Sequence, residues 1–500
     1  MDDNEQESFV ENRESTQFDE NRLDYSKKVY RDVWCAIIYY LVLATVIGFT
    51  IWMWVARWPQ IEEYNNNIYN TATDANNAAS DATTNTWPND LDYTGLYVTL
   101  ISCAVIGIIF GFIWLCILRA IASFLIKIML FLNIALWAAL TAWAFIENET
   151  GLGIFAAIML ALLVLYTWCI WGRIRFASVL LELGSMIVGQ FSGVVCVQFT
   201  AVIFTIIWFA VIAICMWGYF IITAGDAKVD ENGNVYYDYN ANGWVIFGLV
   251  VSLYWSLEVN SNISHTTACG VSAVWYFTPQ DRPIRGPTYS AFNRAMTTSF
   301  GSICMGSLIV ALLEILRAMV NALISEKQNI LTCLIQCCLA CVEACMRWFN
   351  KYAYAHCAIY GVSFMKAAGQ TWSLFQREGI MALINDDLSG LGLAAGNLCS
   401  LVVCGCSGYG IAYAFYGNYA DPEVRDVLVW GLAVYGCVVG FILCWLVLVV
   451  VRSAIVTLFV CFAEEPAILF KNRREEFNKL ADVRPSIKQI HDNLATMQSV

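Results

Sequence analysis

Ser299-Phe-Gly-Ser-Ile-Cys-Met-Gly-Ser-Leu-Ile-Val-Ala-Leu-Leu-Glu-Ile-Leu-Arg317 decides the fold class of this chain. Up to Leu313 the residues are small or apolar and uncharged, as a lipid-buried helix requires, and about 20 such residues span ~30 Å of hydrocarbon. A cysteine-studded segment follows, then Phe349-Asn-Lys-Tyr-Ala-Tyr-Ala-His356, and Asn385-Asp386-Asp387 closes the region. Glu314, Arg317 and His356 sit in or beside this apolar stretch. Ionisable groups are costly in a bilayer, so they mark either function or a helix end.

The same texture extends over the whole chain. Hydrophobic residues make up 59% and charged residues 14%, against about 25% charged in soluble domains. The expected fold is therefore an all-α polytopic membrane protein whose principal partner is the lipid bilayer. The net charge of −12 lies mainly in the N-terminal tail and two polar loops, and with no basic cluster it excludes a nucleic-acid partner. Residues 1–32 are acidic and polar, without the basic start and short apolar core of a signal peptide, and read as a disordered cytosolic tail. The 20 cysteines fall almost entirely in apolar segments, where cysteine behaves as a small hydrophobe.

About ten spans are expected, near 33–56, 95–118, 121–146, 151–172, 199–223, 244–277, 299–323, 329–350, 391–416 and 427–453. The sixth run is too long for one straight crossing and is tilted, broken or extended past the membrane. Lys27, Lys28, Arg31, Arg119, Arg173, Arg175, Arg282, Arg285, Arg294, Arg452, Lys471, Arg473 and Arg474 alternate with loops poor in basic residues. The positive-inside rule then puts both termini in the cytosol. The transporter domain covers 33–455, with outer loops at 57–94 and 225–243 and a cytosolic tail at 456–500. Segment 352–380 reads as an amphipathic interfacial helix, with a similar one over 176–192.

No P-loop, HExxH or GxSxG motif occurs, so an enzyme is not expected and no cofactor is implied. Gly390-Leu-Gly-Leu-Ala-Ala-Gly396 follows no strand and reads as small residues easing helix contact. Cys333, Cys337, Cys341 and Cys345, with Cys338 beside them, form one stripe on a helix and are expected to serve packing, acylation being the other reading. Glu314 and Arg317, three apart, are expected to pair on their own helix.

The sixth span is richest in polar side chains. Glu258, Asn262 and His265 fall at i, i+4 and i+7, and so share a face that must point into the bundle or a wet cavity. Trp255 lies three residues before Glu258 and offers a ring for a cation–π contact, and Trp275 closes the run. These five are the candidate substrate-binding residues. The face is either a path for a small organic cation or a polar seam between helices without a ligand. Asn148-Glu-Thr matches the glycosylation pattern, in a very short outer loop.

Tyr30-Arg-Asp-Val-Trp34, Trp255 through Trp275-Tyr276-Phe277, Gly301-Ser-Ile-Cys-Met-Gly-Ser-Leu-Ile-Val310, Phe349-Asn-Lys-Tyr-Ala-Tyr354, Ile359-Tyr-Gly361 and Cys461-Phe-Ala-Glu-Glu-Pro466 occur in that order. With them the chain resembles the choline transporter-like family (solute carrier family 44), especially its fungal branch named for pH-nine sensitivity. The resemblance implies a ten-span plasma-membrane protein with cytosolic termini that moves choline or a related organic cation. The first outer loop here is short and lacks cysteine, unlike the longer disulfide-bearing loop of animal members. A membrane scaffold without transport, or a carrier of an unrelated solute, is the alternative reading.

Overall fold

A computed structural model describes residues 29–59, 61–62, 93–229, 235–324, 330–419 and 421–483. Apolar runs that cannot satisfy their backbone in lipid except as helix become α1 (Val33–Ala56), α2 (Tyr93–Ile146), α3 (Thr150–Ile170), α5 (Gly193–Thr223), α6 (Gly243–Phe277), α8 (Phe300–Ile324), α9 (Ile330–Tyr360), α10 (Phe364–Tyr416) and α11 (Pro422–Glu464). Shorter helices link them: α4 (Ile174–Gln190), entered through a 3₁₀ turn, and α7 (Pro287–Met296). A two-stranded antiparallel ribbon, β1 (Ala224–Val229) and β2 (Val235–Tyr239), joins α5 to α6. It is the one departure from all-α among the described residues, and it occupies the polar loop 225–243.

Among the described residues, eight helices are long and apolar enough to cross a membrane, counting α3 and α4 as one. The second and third expected spans are both present inside α2. Its backbone leaves helical geometry at Ile121 (φ −135°, ψ 26°). Leu118 and Ile126 both come within 4.0 Å of the point a Cβ on Gly392 would occupy, although eight residues of straight helix would part them by ~12 Å. The helix is kinked there. The sixth run is one unbroken helix of 35 residues, ~52 Å long, and so exceeds the hydrocarbon thickness. Helix α9, where Glu343, Arg347 and Lys351 lie close together, is not among these eight.

Small residues let the central helices approach. A Cβ on Gly107 of α2 would lie 3.2 Å from the Gly440 Cα of α11, and Ser400 of α10 donates to the Gly440 carbonyl at 2.8 Å. The Gly390–Gly396 stretch behaves likewise: a Cβ on Gly396 would run into the Trp114 indole. Large apolar side chains such as Trp168, Ile146 and Phe204 stay exposed, the expected surface of a bundle solvated by lipid.

Several local expectations change. Segment 352–380 is not one helix: α9 ends at Tyr360, Gly361 takes φ +60°, and α10 begins at Phe364. The 176–192 region forms α4, which is largely buried against α2, α10 and α11. Cys333, Cys337, Cys338, Cys341 and Cys345 are exposed free thiols, so the stripe faces outward and does not pack. Beyond 455 the chain is folded: α11 continues, and α12 (Pro466–Asn472) and α13 (Arg474–Ala481) bury Leu469, Phe470, Phe477 and Leu480. Asn148 sits exposed on the tight turn before α3, with φ +61°. The tail before residue 29, most of the 57–94 loop and residues beyond 483 lie outside the described residues.

Candidate functional site

Helix α6 carries its polar face at mid-length, and two neighbours, α9 and α11, bring charges to it. The result is a partly open cavity of about 280 Å³, lined from α6 by Glu258, Ser261, Asn262 and His265 and from α5 by Gln198. Helix α9 contributes Arg347, Asn350, Lys351 and Tyr354, and α11 contributes Trp445, Val449, Arg452 and Ser453. Val310 of α8, within the stretch that opened the sequence, closes one wall.

Two levels are evident. At the first, Arg347 Nη1 donates to Glu258 Oε1 at 2.7 Å and Arg347 Nε to Glu343 Oε1 at 3.1 Å. The second Nη of Arg347 contacts Glu314, and Arg317 bonds Glu343 at 3.0 Å. Glu314 and Arg317 thus pair across to α9 and not with each other, a correction to the expectation from spacing. Asn262 ties this level to α8 by donating to Ser307 Oγ at 3.0 Å, and it reaches Glu258 at 3.4 Å.

At the second level His265 Nε2 lies 2.9 Å from the Lys351 carbonyl, and Nδ1 lies 2.8 Å from the Ser453 hydroxyl. A carbonyl only accepts, so Nε2 carries a proton and donates it to the Lys351 carbonyl. Lys351 Nζ and Arg452 both bond Asp386, at 2.5 Å and 2.7 Å. Asp386 is only 10% exposed at its side chain, and a buried carboxylate in an apolar bundle needs such partners.

Glu258, Asn262 and His265 are brought together at the cavity. Trp255 and Trp275 are not. The Trp255 ring is 2% exposed and stacks edge-on against Tyr39 at 5.1 Å, while its N–H donates to the Cys304 carbonyl at 2.9 Å. It fastens α6 to α1 and α8. Trp275, 1% exposed, lies at the far end of α6, with the Arg473 guanidinium 4.1 Å above its ring. His356 is buried apart from the cavity, its Nδ1 between the Tyr352 carbonyl and the Thr371 hydroxyl.

Sequence reasoning missed Arg347, Lys351, Tyr354, Asp386, Trp445, Arg452 and Ser453. A signal existed for some of them. Asp386 stood in a conspicuous Asn-Asp-Asp run, and Arg347 and Lys351 interrupted an otherwise apolar helix.

Fold and cavity together define a multi-pass helical membrane protein with a charged, solute-sized chamber at mid-bundle. The family model described as plasma-membrane choline transporter matches residues 154–467, so the chain belongs to the choline transporter-like family. Among curated relatives, a CTL-like protein of Dictyostelium discoideum is 28% identical over 458 residues, covering 90% of this chain and 75% of the relative. Protein PNS1 of Gibberella zeae is 26% identical over 491 residues, covering 95% and 86%. Protein PNS1 of Mycosarcoma maydis is 27% identical over 406 residues, covering 77% and 73%. The resemblance to the fungal branch stands on these relatives.

Proposed function

We propose that this chain carries choline or a related small organic cation across the plasma membrane, by facilitated or secondary transport, through the cavity between α6, α8, α9 and α11. The observation that carries the reading is the Glu258 carboxylate on the cavity wall, backed by Glu314 and Glu343, which pair with Arg347 behind it. Glu258 is already paired, so an incoming cation would share an acidic cluster that outnumbers its own guanidiniums. It need not strip a carboxylate of its only partner. The volume favours a small solute, since pockets for drug-sized ligands run ~300–1,000 Å³.

An inside-negative potential alone suffices to drive uptake. One charge moving through 100 mV gains ~2.3 kcal/mol, close to 50-fold accumulation. Ten crossings follow if both limbs of α2 span and α9 spans despite its charges. Counting them, the basic residues after α6 and α11 fall on the same side as Arg31, which supports cytosolic termini. If protons are coupled, His265 and Glu258 are the groups at the cavity that would carry them.

Purified protein in sealed proteoliposomes should take up radiolabelled choline saturably and faster with an inside-negative potential, and Glu258→Gln should lower that uptake at least tenfold. Absence of uptake for both choline and ethanolamine in well-folded preparations would remove the organic-cation assignment.

A further inference from the structure

Charge is unevenly placed along the cavity. At the Glu258 level three carboxylates, Glu258, Glu314 and Glu343, meet two guanidiniums, Arg347 and Arg317, and of these Glu258 and Arg347 line the chamber while the others stand behind them. One turn further along α9, two cations, Lys351 and Arg452, share the single carboxylate of Asp386. Arg347 and Lys351 are four residues apart on one helix, so the acidic and basic levels lie ~6 Å apart.

The two levels are differently furnished. Trp445 lines the cavity and precedes Arg452 by seven residues on α11, about 10 Å along the helix toward the acidic level. An indole sharing the chamber with the Glu258 carboxylate suits a quaternary ammonium. At the basic level Lys351 and Arg452 both line the cavity, whereas Asp386 does not, so it holds them from outside the chamber. An ammonium has three N–H donors and a guanidinium five. Asp386 takes one from Lys351 and two from Arg452. The remaining donors are of the kind that make charge-assisted bonds to a carboxylate or phosphate.

The geometry points to a zwitterion as the preferred solute: a quaternary ammonium at Glu258 and Trp445, joined through a short linker to a carboxylate or phosphate between Lys351 and Arg452. This rests on the cavity being the solute site. A monocation such as choline fills the acidic level and leaves the basic level with its surplus positive charge. A zwitterion whose charges are a few ångströms apart matches both.

Equilibrium binding of radiolabelled choline, glycine betaine and phosphocholine to the purified full chain tests this, in the wild type, Lys351→Met and Arg452→Gln. At least one zwitterion should bind tenfold or more tightly than choline, and each substitution should reduce the zwitterion-to-choline affinity ratio at least tenfold. Preference for glycine betaine assigns a carboxylate, and preference for phosphocholine a phosphate. Choline binding as tightly as both zwitterions overturns the inference and leaves the cation-carrier reading standing. A zwitterion preference that survives both substitutions also overturns it, because the basic level would then play no part. Failure of all three to bind overturns the cavity as solute site and the inference with it. If a variant does not fold, the ranking of the three ligands on the wild type decides.

Discussion

Replacing Asp386 with alanine leaves Lys351 and Arg452 facing one another without the carboxylate they share. The Lys351 and Asp386 side chains are 17% and 10% exposed and 2.5 Å apart, so their separation is that of a buried pair. Removing one partner of such a pair costs about 3–5 kcal/mol, because the other charge stays buried and uncompensated. Arg452 is 46% exposed and adds at most ~1 kcal/mol, the worth of a solvent-reached ion pair. The single variant should therefore lose about 3–5 kcal/mol, mostly through Lys351. Lys351→Met in the same background removes that stranded charge while keeping much of the side-chain volume, and should restore about 2 kcal/mol or more. Unfolding in mixed micelles of rising denaturing-detergent content, followed by tryptophan fluorescence for the wild type, both singles and the double, gives the coupling directly. Losses that add within ~0.5 kcal/mol would refute the shared-carboxylate account.

Trp255→Phe should remove the second hydrogen bond to the Cys304 carbonyl and cost ~0.5–1.5 kcal/mol of stability, while choline affinity stays within about twofold; a tenfold change in affinity would return Trp255 to the solute path. Gly301→Ala should lower thermal stability and surface expression, since its Cβ would run into the Arg31 and Asp32 carbonyls and such overpacking costs ~1–3 kcal/mol; unchanged melting would disprove that close approach. Lys479→Met should cost less than ~1 kcal/mol, because Lys479 is 43% exposed where it meets Glu182 at 3.0 Å and exposed pairs contribute little. A larger loss in the same micelle assay would show that α13 is held by charge and not by Phe477.

Hydropathy made the helices legible because lipid leaves the backbone no alternative to internal hydrogen bonding. Helical spacing made part of the site legible for the same reason: Glu258, Asn262 and His265 share a face whatever surrounds it. Spacing cannot say which neighbour occupies a face, and Trp255 shows the consequence. It lies one turn from Glu258, yet α1 and α8 enclose it through Tyr39 and the Cys304 carbonyl. Glu314 and Arg317 fail in the same way. Their separation permits a bond along one helix, but Arg347 and Glu343 on α9 supply closer partners. The break at Gly361 was hidden because the residues on both sides continue an amphipathic pattern, while the backbone turns through the positive φ of Gly361 and the extended Ser363.

Helix α9 ties these observations together. Glu343, Arg347 and Lys351 lie close together along it, and each would be costly in lipid if unpaired. Every one of them is instead paired across helices: Glu343 with Arg317 of α8, Arg347 with Glu258 of α6 and Glu314 of α8, Lys351 with Asp386 of α10. Helix α9 accordingly packs among α6, α8, α10 and α11, and two of its charges, Arg347 and Lys351, wall the cavity. A sliding hydropathy average registers them only as a weak segment. Their placement opposite the polar face of α6 turns that weakness into the chamber's two charged levels, about one helical turn apart. Neutralising α9 should consequently make it a better membrane span and a poorer site, so stability and ligand binding should move in opposite directions when an ion pair is replaced as a unit by apolar residues.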